Sequence, residues 1–460
     1  MNRAISELKM AMPPDAVLID RGAVRGYTRD RAMLGDYGEP LAVVMPRSKD
    51  EVRKTVEVCA SYAIPLVPRG AGTGMSGGAN AVDGCVVVSM KAMNKILEIN
   101  ARERYTRVQP GVINGELRKA CKEYGLWYPP DPASASESTI GGNVATNAGG
   151  LCCVKYGVTA DYVLEIEAVI KDGVVVRLGR QTMKGVAGYD LARLMTGSEG
   201  TLGLITEVTL RLRGLSSAEV QTVVGYFDSV DSAGAAASLV ANEGVTPSSL
   251  ELIDRYCLEA VERWKHLGLP RECGALLFGR TDERGASGIA EASVMKECFS
   301  IAGATKVECS RNQEESERLF EARRLVFTAV ERMGAVVSED VCVAREKIPE
   351  MLNRVNAISR EYEVTIANIA HAGDGNLHPL IVVPEGDSTA KVRAGMAFDA
   401  IMKEALELGG TITGEHGIGI LKKSALREEL GEDVIELHQR IKEVFDPHNI
   451  FNPGKVFAGP

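Results

Sequence analysis

The stretch IPLVPRGAGTGMSGG (64–78) decides how this chain is built: a short apolar strand, 64–68, runs without a break into a glycine-rich loop. Upstream, LAVVMP (41–46) is another strand-type run, ended by Pro46. Ser48 and Asp50 then offer helix caps, and Val52, Val56, Cys59 and Ala63 share one helical face. The resulting strand–helix–strand unit delivers a loop of phosphate size. Glycines at 70, 72, 74, 77 and 78 let successive amides face one concavity with no side chain between, which suits a pyrophosphate. The loop lacks the tail of the G-x-G-x-x-G dinucleotide fingerprint, with its acidic residue about 20 positions on. It also lacks the Lys-Ser/Thr ending of a nucleotide-hydrolase loop.

Two more glycine clusters follow, PASASESTIGGNVATNAGG (132–150) and GYDLARLMTGSEGTLGLITE (188–207). Between and around them the pattern alternates strands with helices. GCVVVSM (84–90) and RYTRVQPG (104–111) read as strands, and a helix near 114–124 carries Leu117, Ala120 and Cys121 on its apolar side. VLEIEAVIKDGVVVRLG (163–179) reads as a hairpin turning at Asp172-Gly173. LITEVTLRLR (204–213) closes this half. Beyond Gly214 the glycine loops thin out, and helices are expected at 233–244 and 313–334, strands at 274–280 and 364–373. A chain of 460 residues is too long for one ordinary core. The division expected is 1–215 and 216–460.

A formal net charge of −9 argues against nucleic acid as a partner, since phosphate backbones call for concentrated Lys and Arg. No apolar run approaches the roughly 18 residues a membrane span requires. The opening MNRAISELKMAMPPD mixes acids and bases and reads as no secretory signal, so a cytoplasmic location is expected. Ten cysteines at irregular spacing, with no C-x-x-C pair, fit reduced thiols and give no ligand set for an iron–sulfur cluster. The adjacent Cys152 and Cys153 read as local packing. Any cluster that relays electrons is expected on another polypeptide.

The six histidines all lie in the second half, at 266, 371, 378, 416, 438 and 448. In HAGDGNLH (371–378) the glycines rule out a helix, and a tight turn at Gly373–Gly375 would fold both imidazoles toward one point. GEHGIG (414–419) adds Glu415 and His416 in a second glycine-bounded loop. Two imidazoles and a carboxylate form a set that leaves coordination positions open, as a catalytic zinc or manganese site requires. The plainer reading has each histidine capping or hydrogen-bonding locally. His266, His438 and His448 receive no catalytic role, and His438, in a charged helix, reads as solvated.

These motifs carry a resemblance. The three glycine clusters look like the FAD-binding domain of p-cresol methylhydroxylase and vanillyl-alcohol oxidase. HAGDGNLHP, GEHGIG and FDPHNIFNPGK (445–455) resemble the signature of the FAD-linked D-2-hydroxyacid dehydrogenases: D-lactate dehydrogenases, D-2-hydroxyglutarate dehydrogenases and the flavin subunit of bacterial glycolate oxidase. The similarity runs from about Tyr37 onward. It implies an α+β, two-domain protein, a p-cresol methylhydroxylase/vanillyl-alcohol oxidase-type FAD-binding domain plus an α+β substrate (cap) domain, with the last segment (about 445–460) returning toward the flavin. FAD is expected against Pro68, Arg69, Gly70, Gly72, Thr73, Gly74, Gly77 and Gly78, then Pro132, Ser138, Thr139, Gly142 and Asn147, then Glu199, Gly200 and Ile205, and finally Asn452. The first half has no histidine to form a covalent link, so FAD is expected to be non-covalent unless Cys or Tyr makes the bond.

In the resembled family the residues matching His371, His378 and Glu415 bind a divalent metal, here zinc, with manganese or iron as alternatives. The residue matching His416 is the base. Arg323 stands where an arginine grips the substrate carboxylate, and His371 is expected to bind substrate as well. Leu380 replaces the asparagine of the 2-hydroxyglutarate enzymes, and Ser338 replaces their substrate-binding lysine, so a short acid, D-lactate or glycolate, is expected. The electron acceptor could be an electron-transfer flavoprotein, an iron–sulfur subunit or a quinone, and the chain a homodimer or a subunit of a larger complex. The competing readings are a same-fold flavoenzyme resembling the alkyl-glycerone-phosphate synthases and a flavin subunit that only carries electrons.

Overall fold

The computed structural model describes residues 2–457 apart from 183, 217, 271 and 388. Its chain divides into two compact units. The first comprises Met1–Gly150, Val158–Leu215 and Glu415–Pro460; the second comprises Leu151–Gly157 and Ser216–Gly414. Relative to the expected division into 1–215 and 216–460, the second unit loses 415–460 to the first and gains 151–157. The returning segment is thus three times as long as the motif FDPHNIFNPGK foretold, because the helices Lys423–Leu430 and Glu432–Phe445 travel with it.

The first unit holds two main sheets. One orders strands Val17–Leu18, Ala42–Val44, Val86–Ser89 and Leu66–Arg69, the last three parallel. A parallel strand buried on both faces needs an unbroken run of apolar residues, and the sequence supplies it: Ala42, Val43, Val44, Leu66, Val67, Val86, Val87 and Val88 are all fully buried. The connecting helix Lys49–Ser61 starts where Ser48 accepts the Glu51 amide (3.3 Å) and carries Asp50 and Glu51 in its first turn, against the positive helix end. It buries Val52, Val56 and Cys59. The second sheet is antiparallel, ordered Ile96–Asn100, Tyr105–Val108, Leu204–Arg211, Val163–Val169 and Val175–Gly179. Its last pair is the hairpin at Asp172-Gly173, where Asp172 takes a φ of 56°.

The second unit is built on one antiparallel sheet, ordered Lys306–Cys309, Gln221–Phe227, Ala275–Thr281, Ser249–Asp254, Thr365–His371, Asn376–Val383 and Ala335–Ser338, with Val341–Cys342 also pairing to 376–383. Helices Arg255–Lys265 and Glu321–Glu331 cover one face, packing Cys257, Leu258, Val261, Val326, Ala329 and Val330 against Ile253, Ala367, Ile369, Leu380 and Val382. The helix expected over 313–334 is two, Gln313–Leu319 and Glu321–Glu331. They meet at Phe320, whose ring is turned inward edge-on to Phe278 (5.8 Å) and stacked beneath Arg280.

Candidate functional site

In the first unit the three glycine clusters converge. The first leaves the end of strand Leu66–Arg69, the second surrounds helix Ile140–Thr146, and the third, 196–203, precedes strand Leu204–Arg211. Backbone bonds from Gly197 to Val144 (2.9 Å) and from Glu199 to Ala145 (2.7 Å) join the third to the second. The third meets the first at Gly200, whose φ of 71° and contact with Pro68 admit only glycine: a Cβ there would collide with the proline ring. Phe451 lies parallel beside Leu66, and Asn452 closes the set, donating through Nδ2 to the carbonyls of Gly78 (2.9 Å) and Glu199 (2.7 Å).

These residues fit a flavin dinucleotide. The amides of Ala71 to Ser76 make no hydrogen bond to any described residue, an array suited to phosphate oxygens. Three buried polar atoms, Arg69 Nη1, Ser138 Oγ and Asn452 Oδ1, have no partner among the described residues, and buried polar groups of this kind call for one. Other expected contacts have jobs within the protein. Thr139 caps its helix by accepting from Gly142 (3.2 Å), Asn147 accepts from the Ala160 amide (2.9 Å), Pro132 anchors a turn to Ala135, and Ile205 packs in the core with Ile140, Val144 and Leu202.

Glu199 is the notable case. Its buried carboxylate accepts from the consecutive amides of Ile418 (2.7 Å) and Gly419 (2.8 Å), so it grips the GEHGIG loop. Burial pushes its carboxyl up to about 7, against the lowering effect of the two amides. Ser76, from the first glycine loop, donates its hydroxyl to the His416 carbonyl (3.1 Å). The loop carrying His416 therefore hangs from the glycine loops by its own backbone. His438, expected to be solvated, stacks on Phe457 with ring centres 5.4 Å apart.

In the second unit strand register does what loop chemistry did in the first. Glu251 lies opposite His371, and His378 opposite Ile369, so Glu251, His371 and His378 share the sheet face on which Ile369 and Leu380 are packed. The odd spacing of the two histidines is absorbed by the hairpin: they sit on different strands, as diagonal neighbours, with rings 5.0 Å apart and nearly perpendicular. Asp374 and Gly375 both donate to the His371 carbonyl to close the turn. Arg323 reaches the same point from the start of helix Glu321–Glu331. Its Nε and Nη2 lie 2.8 and 2.6 Å from Glu251 Oε2, and His371 Nδ1 lies 2.8 Å from Oε1. Burial alone would raise the Glu251 carboxyl; His371 and Arg323 outweigh it and hold the group below the usual range, as an anion.

A second buried acid stands on the other side of the pair. Asp340 Oδ1 lies 3.7 Å from His378 Nδ1 and accepts from Asn376 Nδ2 (2.7 Å), while its Oδ2 accepts from Thr413 (2.6 Å) and from the Gly414 amide (3.0 Å). Gly414 is the last residue of this unit, and Glu415 follows it by one peptide bond. Sequence reading missed Glu251 and Asp340. Glu251 stands in SLELID, which reads as an ordinary strand with a polar side, and only the register reveals what it faces; Asp340 lies in the break between the strands Ala335–Ser338 and Val341–Cys342, where nothing local marks it.

The fold and the loop chemistry define a flavin-binding oxidoreductase. Residues 40–179 match the model described as "FAD binding domain" and residues 216–456 the model described as "FAD linked oxidases, C-terminal domain". The chain is 39% identical to the glycolate oxidase subunit GlcD of Bacillus subtilis, covering 91% of this chain and 89% of that protein. It is 35% identical to a D-lactate dehydrogenase of Anaerostipes hadrus, covering 96% and 95%. In structure it is similar to 4-ethylphenol oxidase from Gulosibacter chungangensis, with a TM-score of 0.85 at 19% identity over 100% of this chain and 97% of that one. It is also similar to p-cresol methylhydroxylase, with a TM-score of 0.84 at 17% identity over 99% and 97%. The chain belongs to the FAD-linked oxidase family. Among its described residues no helix is long and apolar enough to cross a membrane.

Proposed function

We propose that this enzyme oxidises a short D-2-hydroxy acid, glycolate or D-lactate, to the 2-oxo acid. The observation that carries the reading is the polar cluster at the end of an otherwise apolar sheet face, where a guanidinium and an imidazole share one buried carboxylate and a second imidazole stands edge-on to the first. Such a cluster suits a small anion. Arg323 spends Nε and Nη2 on Glu251, and no described residue accepts from its Nη1, which leaves that group for the substrate carboxylate. The apolar Leu380 and the short Ser338, paired across neighbouring strands, supply no second cation for a dicarboxylate. The names of the two relatives point to the same substrates.

Bound FAD, held without a covalent link, supplies a two-electron acceptor for the hydride from C2. His416 takes the hydroxyl proton, its backbone fixed by Ser76 and, two residues on, by Glu199. His371, His378 and Glu415 would hold a divalent cation, zinc, manganese or iron, whose charge would acidify the substrate hydroxyl. The donor set fits such an ion: a ring nitrogen of His371 lies within 4.8 Å of one on His378, and a buried carboxylate stands against His371 Nδ1. Electrons then leave to a separate acceptor, an electron-transfer flavoprotein, an iron–sulfur subunit or a quinone, as suits a chain similar to a protein named as an oxidase subunit.

Anaerobic mixing with a panel of D- and L-2-hydroxy acids, followed by flavin absorbance, tests the reading. Glycolate or D-lactate should bleach the flavin within a turnover and L-lactate should not. A flavin left oxidised by every short 2-hydroxy acid would end the proposal.

A further inference from the structure

We propose that Val154 is a positioning residue for the two histidines of the second unit: it braces the turn Gly373–Gly375 that sets His371 against His378. The proposal rests on the function given above for the part the histidines play, and on packing alone for the brace. Val154 lies in the short stretch Leu151–Gly157, which belongs to the second unit although the first claims the chain on either side of it. That stretch is anchored before and after Val154. Leu151 packs against the core that Ile253, Phe278 and Leu380 share. Lys155 Nζ lies 2.5 Å from Asp282 Oδ1 and 2.8 Å from Glu283 Oε1, and Tyr156 donates its hydroxyl to Asp282 Oδ2. Lys155 and Asp282 are both mostly buried, where a hydrogen-bonded ion pair is stronger than at the surface. Held between these anchors, Val154 has little freedom to withdraw.

What it presses on is Gly373. A Cβ at that position would stand 2.7 Å from Val154 Cγ2 and 2.9 Å from Val154 Cβ, closer than carbon atoms pack. The two glycines of the turn thus answer different needs. Gly375 takes a φ of 90°, which favours glycine by itself. Gly373 has no left-handed φ, and it is the approach of Val154 that excludes a side chain there. The Gly373 amide donates to the Leu250 carbonyl (3.1 Å), which ties the turn to strand Ser249–Asp254. Beside this contact a cleft of about 340 Å3 opens along Ala237, Leu250, Gly373 and Asp374. The turn therefore has space to shift into, and side-chain packing decides where it stops. His371 precedes the turn and His378 follows it in the same hairpin, so a displaced turn moves one ring against the other.

Val154→Ala removes the brace, and Val154→Ile keeps it, the cleft taking the extra methyl. Lys155→Met releases the clamp without touching the turn. Each holoenzyme is compared with wild type, FAD content and unfolding temperature showing that it is folded. Hydrogen exchange read by mass spectrometry should speed up by about 10-fold in the peptide 371–376 of Val154→Ala and Lys155→Met, where the amides of Gly373, Asp374 and Gly375 are hydrogen-bonded. It should not change over helix Arg255–Lys265. Flavin reduction by glycolate should slow by about 10-fold in Val154→Ala and stay within about 2-fold of wild type in Val154→Ile. KM should hardly move, because Arg323, which grips the carboxylate, is not on the turn. Gly373→Ala should slow reduction in the wild-type background and do so less in Val154→Ala, where room for the new Cβ has been made. Unchanged exchange over 371–376 in Val154→Ala, equal acceleration in both peptides, or an unchanged reduction rate would each overturn the proposal, as would additive effects of the Gly373 and Val154 changes. Exchange is read without substrate, so a failure of the 2-hydroxy acid assignment would show separately, as a wild-type flavin that stays oxidised.

Discussion

Replacing Glu199 by glutamine should change how the stability of this protein depends on pH. Glu199 lies buried beneath the loop that carries His416, and burial pushes its carboxyl up from 4.5 to about 7. In the unfolded chain the same group would ionise near its ordinary value. Below about pH 4.5 it is neutral in both states and has no effect on the balance. Between 4.5 and 7 the unfolded chain releases the proton first, so the folded state binds more protons and stability falls as pH rises. The loss is complete above 7. A displacement of about 2.5 units corresponds to about 3 kcal/mol. Glutamine cannot ionise, so the variant lacks this slope, at the cost of one of the two amide bonds to Ile418 and Gly419, about 1–3 kcal/mol at every pH. Urea unfolding followed by circular dichroism from about pH 5 to about pH 7.5 should show the variant gaining on the wild type by about 2 kcal/mol across that range, which misses the first part of the titration. The window stops short of the titration of Lys455, which burial pulls down to about 8 and whose contribution runs the opposite way, increasing stability as pH rises above that value. A gap between variant and wild type that stays constant from pH 5 to 7.5 would refute the reasoning, because it would mean that Glu199 ionises as easily folded as unfolded.

Four further outcomes follow from the site. His416→Ala should bind FAD normally yet lose reduction by glycolate or D-lactate by about 100-fold or more in stopped flow; fast reduction would remove the histidine from the role of base. Arg323→Ala should raise KM about 10- to 100-fold in steady-state assays, the worth of about 1.5–3 kcal/mol for a charged hydrogen bond, and an unchanged KM would place the substrate carboxylate elsewhere. Gly200→Ala forces a positive φ on a residue with a Cβ and drives that Cβ into Pro68, which should destabilise the first unit by about 2–4 kcal/mol and lower the FAD-to-protein ratio on purification. Dialysis against a chelator should abolish flavin reduction by substrate, with zinc or manganese restoring it; full activity in protein shown by elemental analysis to hold no stoichiometric metal would dispose of the cation.

The features legible in sequence share a physical origin. Glycine density marked the three loops, because backbone that must approach a ligand or another loop excludes side chains, and that requirement is written locally. The hairpin at Asp172-Gly173 and the turn between His371 and His378 were legible for the same reason. What escaped was set by register. Glu251 looks like any polar position in SLELID until the pairing 251↔371 brings it against an imidazole. The break at Phe320 was invisible because periodicity carries through it, and only the packing of that ring on Phe278 and beneath Arg280 turns the chain. The assignment of 151–157 and 415–444 also escaped, since neither segment differs in composition from its neighbours and membership of a unit is decided by distant contacts.

The four crossings of the chain between its units, at 150/151, 157/158, 215/216 and 414/415, set an order of events during synthesis. Residues 216–414 emerge as one continuous run, and the short stretch 151–157 is already waiting for them. The first unit cannot close so early: the outer side of strand Leu66–Arg69 stays unpaired until Ile450 and Phe451 arrive, and the carbonyls of Gly78 and Glu199 are not bridged until Asn452 does. The part made first is therefore finished last. Capture of the flavin should wait for residues 450–452, and a nascent chain from which 414 but not 450 has emerged should expose its glycine loops to proteolysis while 216–414 is already resistant.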